Sequence, residues 1–343
     1  MAPKTVRLGL VGAGGFTRTM HLPNFLKMPG VQVTAVANRT MESGEKIAKE
    51  FNIPKVFTDW RQVVKQPDVD AVIVGTWPSL HAPVAVAALE AGKHVFVEVH
   101  VWDLAGARAM HQAAKERPHL KTMMSNIPVK GDAMMRKLLA EGYVGDVYQV
   151  LDYRLNGRYA DPKAPLHWRQ SREYSGINFQ LIALWFEINR RWFGEHKRLI
   201  AQAKTFIPRG KNGTTDGQLP DSMHVLAELE NGALISYLQS GVTQFGGRAR
   251  IEVYGSKGTL VYHHTPAEIY GAQMGEQDLH PIPIPPEMES KWPIQHDFIK
   301  MIQEDAKPSP ELVSFEDALK YTEFNAACAL SLTTGGWINL PLP

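Results

Sequence analysis

Short apolar runs separated by glycine-punctuated polar stretches recur through the first third of the chain, and their spacing predicts alternating strands and helices. Val6 to Val11 is β-branched and strand-like, Gly12-Ala13-Gly14-Gly15-Phe16-Thr17 follows at once, and Met20 to Leu26 has helical character. Val31 to Ala37 then predicts a second strand and Glu42 to Phe51 an amphipathic helix. Two further pairs follow: Ala71 to Gly75 with His81 to Ala91, then His94 to Val97 with Leu104 to Glu116. A last strand is expected over Met123 to Asn126 and a helix over Met134 to Glu141, ending at Gly142. Right-handed crossovers between such units place helices on both faces of a parallel sheet. Residues 1–125 are therefore expected to form a doubly wound nucleotide-binding domain.

Beyond residue 146 the pattern changes to extended segments: Val147 to Leu155, Leu199 to Phe206, Met223 to Leu229, Ala233 to Gln239, Ala249 to Tyr254 and Thr259 to Tyr262. Glu230-Asn231-Gly232 and Gly255-Ser256-Lys257-Gly258 read as their turns. This predicts a second α/β domain over residues 126–343, built on a largely antiparallel open sheet. One long helix is expected within it from Ile177 to Phe193, where Leu181, Leu184, Trp185, Ile188 and Trp192 fall at helical spacing. Segments 293–305 and 315–333 read as C-terminal helices able to pack back on the first domain.

A length of 343 residues suits two domains, and 44% hydrophobic with 21% charged residues describes an ordinary globular composition. The 37 basic and 35 acidic side chains are spread evenly, so no basic tract points to nucleic acid or to an anionic membrane. A small neutral or weakly anionic ligand is the easier partner. Cys328 is the only cysteine, which excludes an internal disulfide and makes the cytoplasm the default compartment. The opening is basic and then apolar, but it breaks into glycines without a cleavage site and reads as a strand rather than a leader. No run approaches the roughly 20 apolar residues of a membrane span. His21 and His263-His264 lack accompanying ligands at metal spacing, so no metal is expected.

A glycine turn between strand and helix lets backbone N–H groups approach a pyrophosphate, and the helix N-terminus adds partial positive charge. The Rossmann fingerprint G-x-G-x-x-G/A is met at Gly12 and Gly14, with Gly15 loosening the turn, while Thr17 occupies the third small position. The acidic residue that would hold the ribose hydroxyls of NAD is replaced by Asn38-Arg39. Arg39 suits a 2′-phosphate or adenine stacking, which favours NADP while leaving NAD open.

Together with that turn, Thr76-Trp77-Pro78-Ser79-Leu80-His81 and the run Ala88 to Glu98 resemble the glucose–fructose oxidoreductase / inositol dehydrogenase / MocA family. Leu139 to Gly145, Glu230 to Ala233, Gly255 to Leu260 and Asp297-Phe298-Ile299 extend the likeness over nearly the whole chain. The resemblance implies a dinucleotide domain followed by an α/β domain whose open sheet makes dimers or tetramers. It assigns Gly12, Gly14 and Gly15 to the pyrophosphate and Thr76, Trp77 and His81 to the loop by the nicotinamide ribose, while Phe16 and Thr17 in the turn and Asn38 and Arg39 after the second strand are cofactor candidates from their places in the fingerprint. Glu98 takes the glutamate place of the family's Glu-Lys-Pro motif, but Val99-His100 replace its lysine and proline. In the second family motif, a glycine-rich approach followed by Asp-x-x-x-His, the counterpart Ser175-Gly176 to Trp185 offers Gln180 for aspartate and Leu184 or Trp185 for histidine.

Oxidising an alcohol by hydride transfer requires a proton acceptor, which valine and leucine do not provide; a placed base contributes about 10²- to 10⁴-fold. His100 and His167 are the candidate replacements. His100 lies two residues after Glu98 and shares its face in an extended segment. His167, with Trp168 and Arg169, lies in the loop Pro162 to Tyr174. Lys130, Tyr153, Arg154, Asn178 and Gln180 are candidate substrate contacts. The expected function is NAD(P)-dependent hydride transfer at a carbinol carbon of a sugar, sugar derivative or cyclic polyol. Two alternatives stay open: a redox-assisted lyase or glycoside-cleaving enzyme that recycles its cofactor, and a non-catalytic dinucleotide-binding regulator.

Overall fold

The computed structural model describes residues 4–126, 129–210, 213–289 and 294–343. The first run alternates as expected: β1 (Val6–Val11), a π-helical turn (Thr17–His21) running into α1 (Leu22–Leu26), β2 (Val31–Ala37), α2 (Met41–Phe51), β3 (Lys55–Phe57), α3 (Trp60–Val64), β4 (Ala71–Val74), α4 (His81–Glu90), β5 (His94–Val97), α5 (Leu104–Lys115) and β6 (Thr122–Met124). Sequence patterning missed β3 and α3, whose three and five residues are too short to show a period. The six strands form one parallel sheet in the order β3-β2-β1-β4-β5-β6, so the order reverses between β1 and β4. That reversal is the switch point at whose C-terminal edge such sheets bind ligands. All four residues of β4 are buried, because helices cover both faces.

Helix starts follow side-chain caps. Thr40 accepts from the Ser43 N–H at the head of α2, and Asp103 accepts from the Gly106 N–H at 2.7 Å at the head of α5.

The chain continues with α6 (Asp132–Ala140), β7 (Val147–Leu155), α7 (Arg172–Ser175), α8 (Ile182–Phe193), β8 (His196–Lys204), β9 (Ser222–Leu229), β10 (Leu234–Ser240), β11 (Arg250–Gly255), β12 (Gly258–His263), β13 (Glu268–Gln273), β14 (His280–Ile282), α9 (Gln295–Glu304), α10 (Phe315–Thr334) and β15 (Ile338–Asn339). Residue 293, the expected start of the first C-terminal helix, lies outside the described residues. The long helix begins at Ile182 rather than Ile177: Gly176 and Gln180 have φ of +64° and +51°, which a helix does not accommodate. The strand expected from Leu199 starts three residues earlier, at His196, and ends at Lys204. β7 to β15 make one nine-stranded sheet in the order β14-β13-β12-β11-β7-β10-β9-β8-β15. It is mixed, since β7 and β10 pair in parallel and the other neighbours are antiparallel.

Two compact units result, and both draw on distant sequence. The first contains the described residues of Met1–Asn126, Tyr174–Gly176 and Trp292–Thr322; the second contains those of Ile127–Glu173, Ile177–Lys291 and Glu323–Pro343. The core of the first unit centres on Leu8, Leu10, Phe25, Phe96 and Phe298, with the three phenylalanine rings meeting edge to face. Full burial of each such ring contributes about 1.5–3 kcal/mol. In the second unit Phe186, His196, Tyr237 and Phe324 pack ring on ring, while Tyr148, Leu226, Leu234 and Tyr254 stay exposed on its strands. Among the described residues no helix is long and apolar enough to cross a membrane.

Candidate coenzyme site and proton-transfer residues

The glycine turn leaves β1 at its C-terminal end, on the edge where the sheet order reverses. Gly12 has φ +83°, and a Cβ there would lie 2.6 Å from Thr76 Cγ2 and 2.9 Å from the Thr76 nitrogen, so only glycine fits. Gly14 and Gly15 are different. A Cβ on Gly14 would find its nearest neighbour at 3.9 Å, and one on Gly15 would find nothing within 4 Å. Nothing inside the unit requires glycine at these two places, whereas close approach of a pyrophosphate does. The chain is helical from Gly15 onward, so its first N–H groups lack helical carbonyl partners and are available to an anion. Thr17, the departure from the fingerprint, is only 2% exposed and is accommodated by Gly75 at the end of β4. A Cβ on Gly75 would fall 2.0 Å from Thr17 Oγ1, so the small residue of this contact is Gly75.

Asn38 turns its side chain back to this loop, where its Oδ1 accepts from the Ala13 N–H at 2.8 Å. Arg39 is exposed, with its guanidinium carbon 5.9 Å from the centre of the Trp77 ring. Trp77 is itself 40% exposed and lies 4.3 Å, centre to centre, from Tyr174, a residue the sequence did not single out. Phe16 is half exposed and meets His21 edge-on.

Thr76 and Glu98 follow the adjacent strands β4 and β5, and His81 ties their loops together. Its Nε2 lies 2.9 Å from the Thr76 carbonyl oxygen and its Nδ1 2.5 Å from that of His100. Burial draws the His81 imidazole below its ordinary value, opposed by the two carbonyls and the Glu98 carboxylate. The Val99–His100 peptide is cis. The His100 ring is 3% exposed and packs edge-on against Tyr321. Sequence reasoning also left His21 and Gln295 without a role beyond a rejected metal. His21 Nε2 bonds Glu98 Oε1, and Gln295 Nε2 bonds His21 Nδ1. A polar residue inside the apolar Met20 to Leu26 run was the available signal. The first unit thus brings Gly12, Gly14, Gly15, Phe16, Thr17, Asn38, Arg39, Thr76, Trp77, His81, Glu98 and His100 to one edge of its sheet.

The candidates in the second unit are spread more widely. Gln180 donates from Nε2 to the Asp221 carbonyl at 2.8 Å, and Asn178 accepts from Asn325 at 2.9 Å, so both side chains serve internal bonds. Leu184 is 4% exposed. Arg154 and Tyr153 point to opposite faces of β7. Arg154 is buried beside Asp152 at 2.6 Å, with its guanidinium carbon 3.2 Å from the Trp185 ring centre. Tyr153 lies under the Arg250 guanidinium at 3.9 Å. His167 Nδ1 accepts from the Arg169 N–H at 3.2 Å. Burial first, then Arg169 and Arg158, hold its imidazole below the ordinary value. Trp168 and Arg169 stack on one another at 4.2 Å and are partly exposed. Lys130 is exposed and pairs with Glu289 at 3.6 Å. Among the described residues no group of three or more His, Cys, Asp or Glu side chains is placed to hold a metal.

Comparison with known proteins places these features in context. Residues 6–124 match the family profile described as an oxidoreductase family with an NAD-binding Rossmann fold, and residues 133–261 match the GFO/IDH/MocA C-terminal domain. Levoglucosan dehydrogenase of Pseudarthrobacter phenanthrenivorans is 25% identical over 98% of this chain and 99% of its own. Myo-inositol 2-dehydrogenase of Thermotoga maritima is 25% identical over 74% of each chain. Among solved structures, an oxidoreductase domain protein from Kribbella flavida aligns with a TM-score of 0.84 at 26% identity, covering 99% of this chain and 100% of its own. A levoglucosan dehydrogenase in complex with NADH shares the fold with a TM-score of 0.84 at 24% identity, over 99% of this chain and 100% of that one.

Proposed function

Because the chain belongs to the Gfo/Idh/MocA family of NAD(P)-dependent oxidoreductases, we propose that it transfers hydride at a carbinol carbon of a sugar, sugar derivative or cyclic polyol. The observation that carries the reading is the turn at the β1/β4 reversal, where the Cβ directions of Gly14 and Gly15 are open and leave room for the close approach of a pyrophosphate. The names of the relatives, levoglucosan dehydrogenase and myo-inositol 2-dehydrogenase, support the substrate class.

In this reading the head of the helical run after β1 binds the pyrophosphate, and the loops after β4 and β5 orient the nicotinamide, which when bound supplies the hydride acceptor or donor. Asn38 offers no carboxylate to repel a 2′-phosphate, its oxygen being engaged by Ala13, and Arg39 stands next to it. NADP is therefore the proposed coenzyme, and Arg39→Ala is expected to weaken NADPH about tenfold while leaving NADH nearly unchanged.

His100 is the proposed proton carrier, since it follows the vacated lysine position and its carbonyl is fixed by His81. His167 is the weaker candidate because its Nδ1 already caps the Arg169 N–H. Partly exposed Trp168 and Arg169 are proposed to meet substrate, whereas Tyr153 lies on the sheet face that carries Leu234 and Tyr254. The exposed Tyr148, Leu226, Leu234 and Tyr254 are proposed to join copies of the chain through the sheet.

A second reading, redox-assisted elimination with a recycled coenzyme, is favoured by one observation. Gln180 is committed to Asp221 and Leu184 is buried, so the second motif holds no proton carrier. The test is calorimetric titration with both coenzymes, followed by nicotinamide absorbance and product analysis over a panel of sugars and polyols. Net absorbance change lost about 10²-fold in His100→Ala supports the first reading. Product without net absorbance change supports the second, and absence of coenzyme binding overturns both.

A further inference from the structure

We infer that His21 and Gln295 are positioning residues that hold the Glu98 carboxylate at the coenzyme edge, with Gln295 fixing the His21 imidazole as the tautomer protonated on Nε2. Three segments remote in sequence meet here: the helical run after the glycine turn, the end of β5, and the first residue of α9. His21 and Gln295 are both 0% exposed, whereas the Glu98 side chain keeps 15% of its surface. The order outward is therefore glutamine, histidine, carboxylate. Only the carboxylate can reach a ligand, and the other two act through it.

The chemistry of the donors fixes the tautomer. An amide nitrogen only donates, so the Gln295 Nε2 facing His21 Nδ1 requires that nitrogen to be the bare acceptor. The single ring proton then sits on Nε2, aimed at Glu98 Oε1. Were the glutamine amide turned round, its oxygen would require a proton on Nδ1 as well. The resulting imidazolium would stand fully buried between the rings of Phe16, Phe25 and Phe96, whose centres lie 5.1, 6.5 and 5.0 Å from that of His21. Although paired with Glu98, that charge would be desolvated among apolar rings, which makes this the costlier arrangement. One carboxylate oxygen is thereby pinned from behind, and the other is left in a fixed direction as an acceptor for a hydroxyl of the coenzyme. A free glutamate on a loop would have to give up its rotamers to do the same.

This rests on the coenzyme reading of the site, and the experiment has one arm that does not depend on it. In the first arm, the ring nitrogens of the full-length protein carrying 15N-labelled histidine are read by NMR, with the His21 signals assigned by their loss in His21→Gln. The expected result is a proton on Nε2 and none on Nδ1 at neutral pH, with both nitrogens protonated in Gln295→Glu, where a carboxylate replaces the amide donor. A wild-type ring protonated on Nδ1, or on both nitrogens, overturns the tautomer lock. In the second arm, NADH and NADPH are titrated calorimetrically. His21→Leu is expected to weaken binding about tenfold, as loss of a hydrogen bond to a charged group does, and His21→Gln, which keeps an N–H donor for Glu98, to recover most of it. Equal binding by wild type, His21→Leu and His21→Gln overturns the positioning role. If the wild type binds neither coenzyme, the link to the coenzyme falls together with the functional reading, while the NMR arm still decides the His21–Gln295 lock.

Discussion

The glycine turn after β1 and the glycine-led approach to α8 carry two parts of the proposed site, and they differ in which groups would do the chemistry. Gly12 opens the turn after β1 at φ +83°, and Gly176 opens the approach to α8 at φ +64°, where an added Cβ would meet the Trp102 carbonyl oxygen at 1.9 Å. After Gly12 the chemistry belongs to backbone N–H groups, which survive side-chain change; Thr17 is absorbed simply because Gly75 faces it. After Gly176 the proposed chemistry would belong to side chains, and those present are engaged within the fold. Gln180 bonds the Asp221 carbonyl and Leu184 joins the core. A function carried by main chain is robust to substitution, whereas one carried by two side chains can leave a fold unchanged.

The sharpest way to break this contrast is Gly12→Val. The branched side chain would need a positive φ and would collide with Thr76, displacing the turn from any bound pyrophosphate. Coenzyme affinity is expected to fall by about a hundredfold, the order of loss that a misplacement of about 1 Å produces. Calorimetric titration beside a thermal melt separates this from unfolding, and affinity within twofold of wild type would show that the turn does not hold the coenzyme.

Placing a histidine in the other segment tests the opposite side. Leu184→His places an imidazole at a position only 4% exposed, between residues that are also buried. The lost apolar packing and the buried polar ring are expected to lower stability by about 3 kcal/mol. Urea unfolding checks it. A loss below about 1 kcal/mol would mean that position 184 opens onto a polar space and retains room for a proton carrier.

How much of this was legible in the sequence follows the same division. The order β1, glycine turn, helix and the later strand–helix pairs could be read because each run is long enough to show its period. Gln180 could not be read as a structural residue, because its positive φ and its bond to Asp221 depend on a segment about forty residues away. The start of α8 was misplaced for a related reason: Leu181 continues the helical spacing of Leu184 and Ile188 although the backbone there is still a turn. β13 and β14 went unrecognised because β13 is held by β12 and β14 by β13 rather than by a pattern of their own. The His21–Gln295 contact joins residues at opposite ends of the chain, and no local rule anticipates it.

A smaller effect comes from His196, which packs against Phe186 of α8 and bonds the Tyr237 hydroxyl at 2.8 Å. Burial lowers its imidazole from 6.5 to about 3. The unfolded chain takes up this proton near pH 6.5 and the folded chain does not until about pH 3. Stability from this group is therefore complete above about pH 6.5 and declines as pH falls toward 3, at about 1.4 kcal/mol per pH unit. Urea midpoints at pH 7 and pH 5 should show a drop in the wild type that is smaller in His196→Phe; equal drops would place the acid sensitivity elsewhere.

The finest test concerns Thr17. If the glycine turn tolerates threonine because Gly75 supplies the missing space, then Thr17→Ala removes a hydroxyl and a methyl that fill that space without touching the backbone donors. Stability is expected to fall by about 1 kcal/mol, the order of one methyl-sized void, while coenzyme affinity stays within about twofold of wild type. The paired change Gly75→Ala should behave differently alone and in combination. By itself it places a Cβ 2.0 Å from Thr17 Oγ1 and should be strongly destabilising. Added to Thr17→Ala it loses that closest collision but keeps a second one, 2.6 Å from the Gly12 carbonyl oxygen, so rescue should be partial. A double mutant whose loss equals the sum of the singles would show no coupling between positions 17 and 75. The departure from the fingerprint would then need another explanation than an exchange of the small residue across one contact.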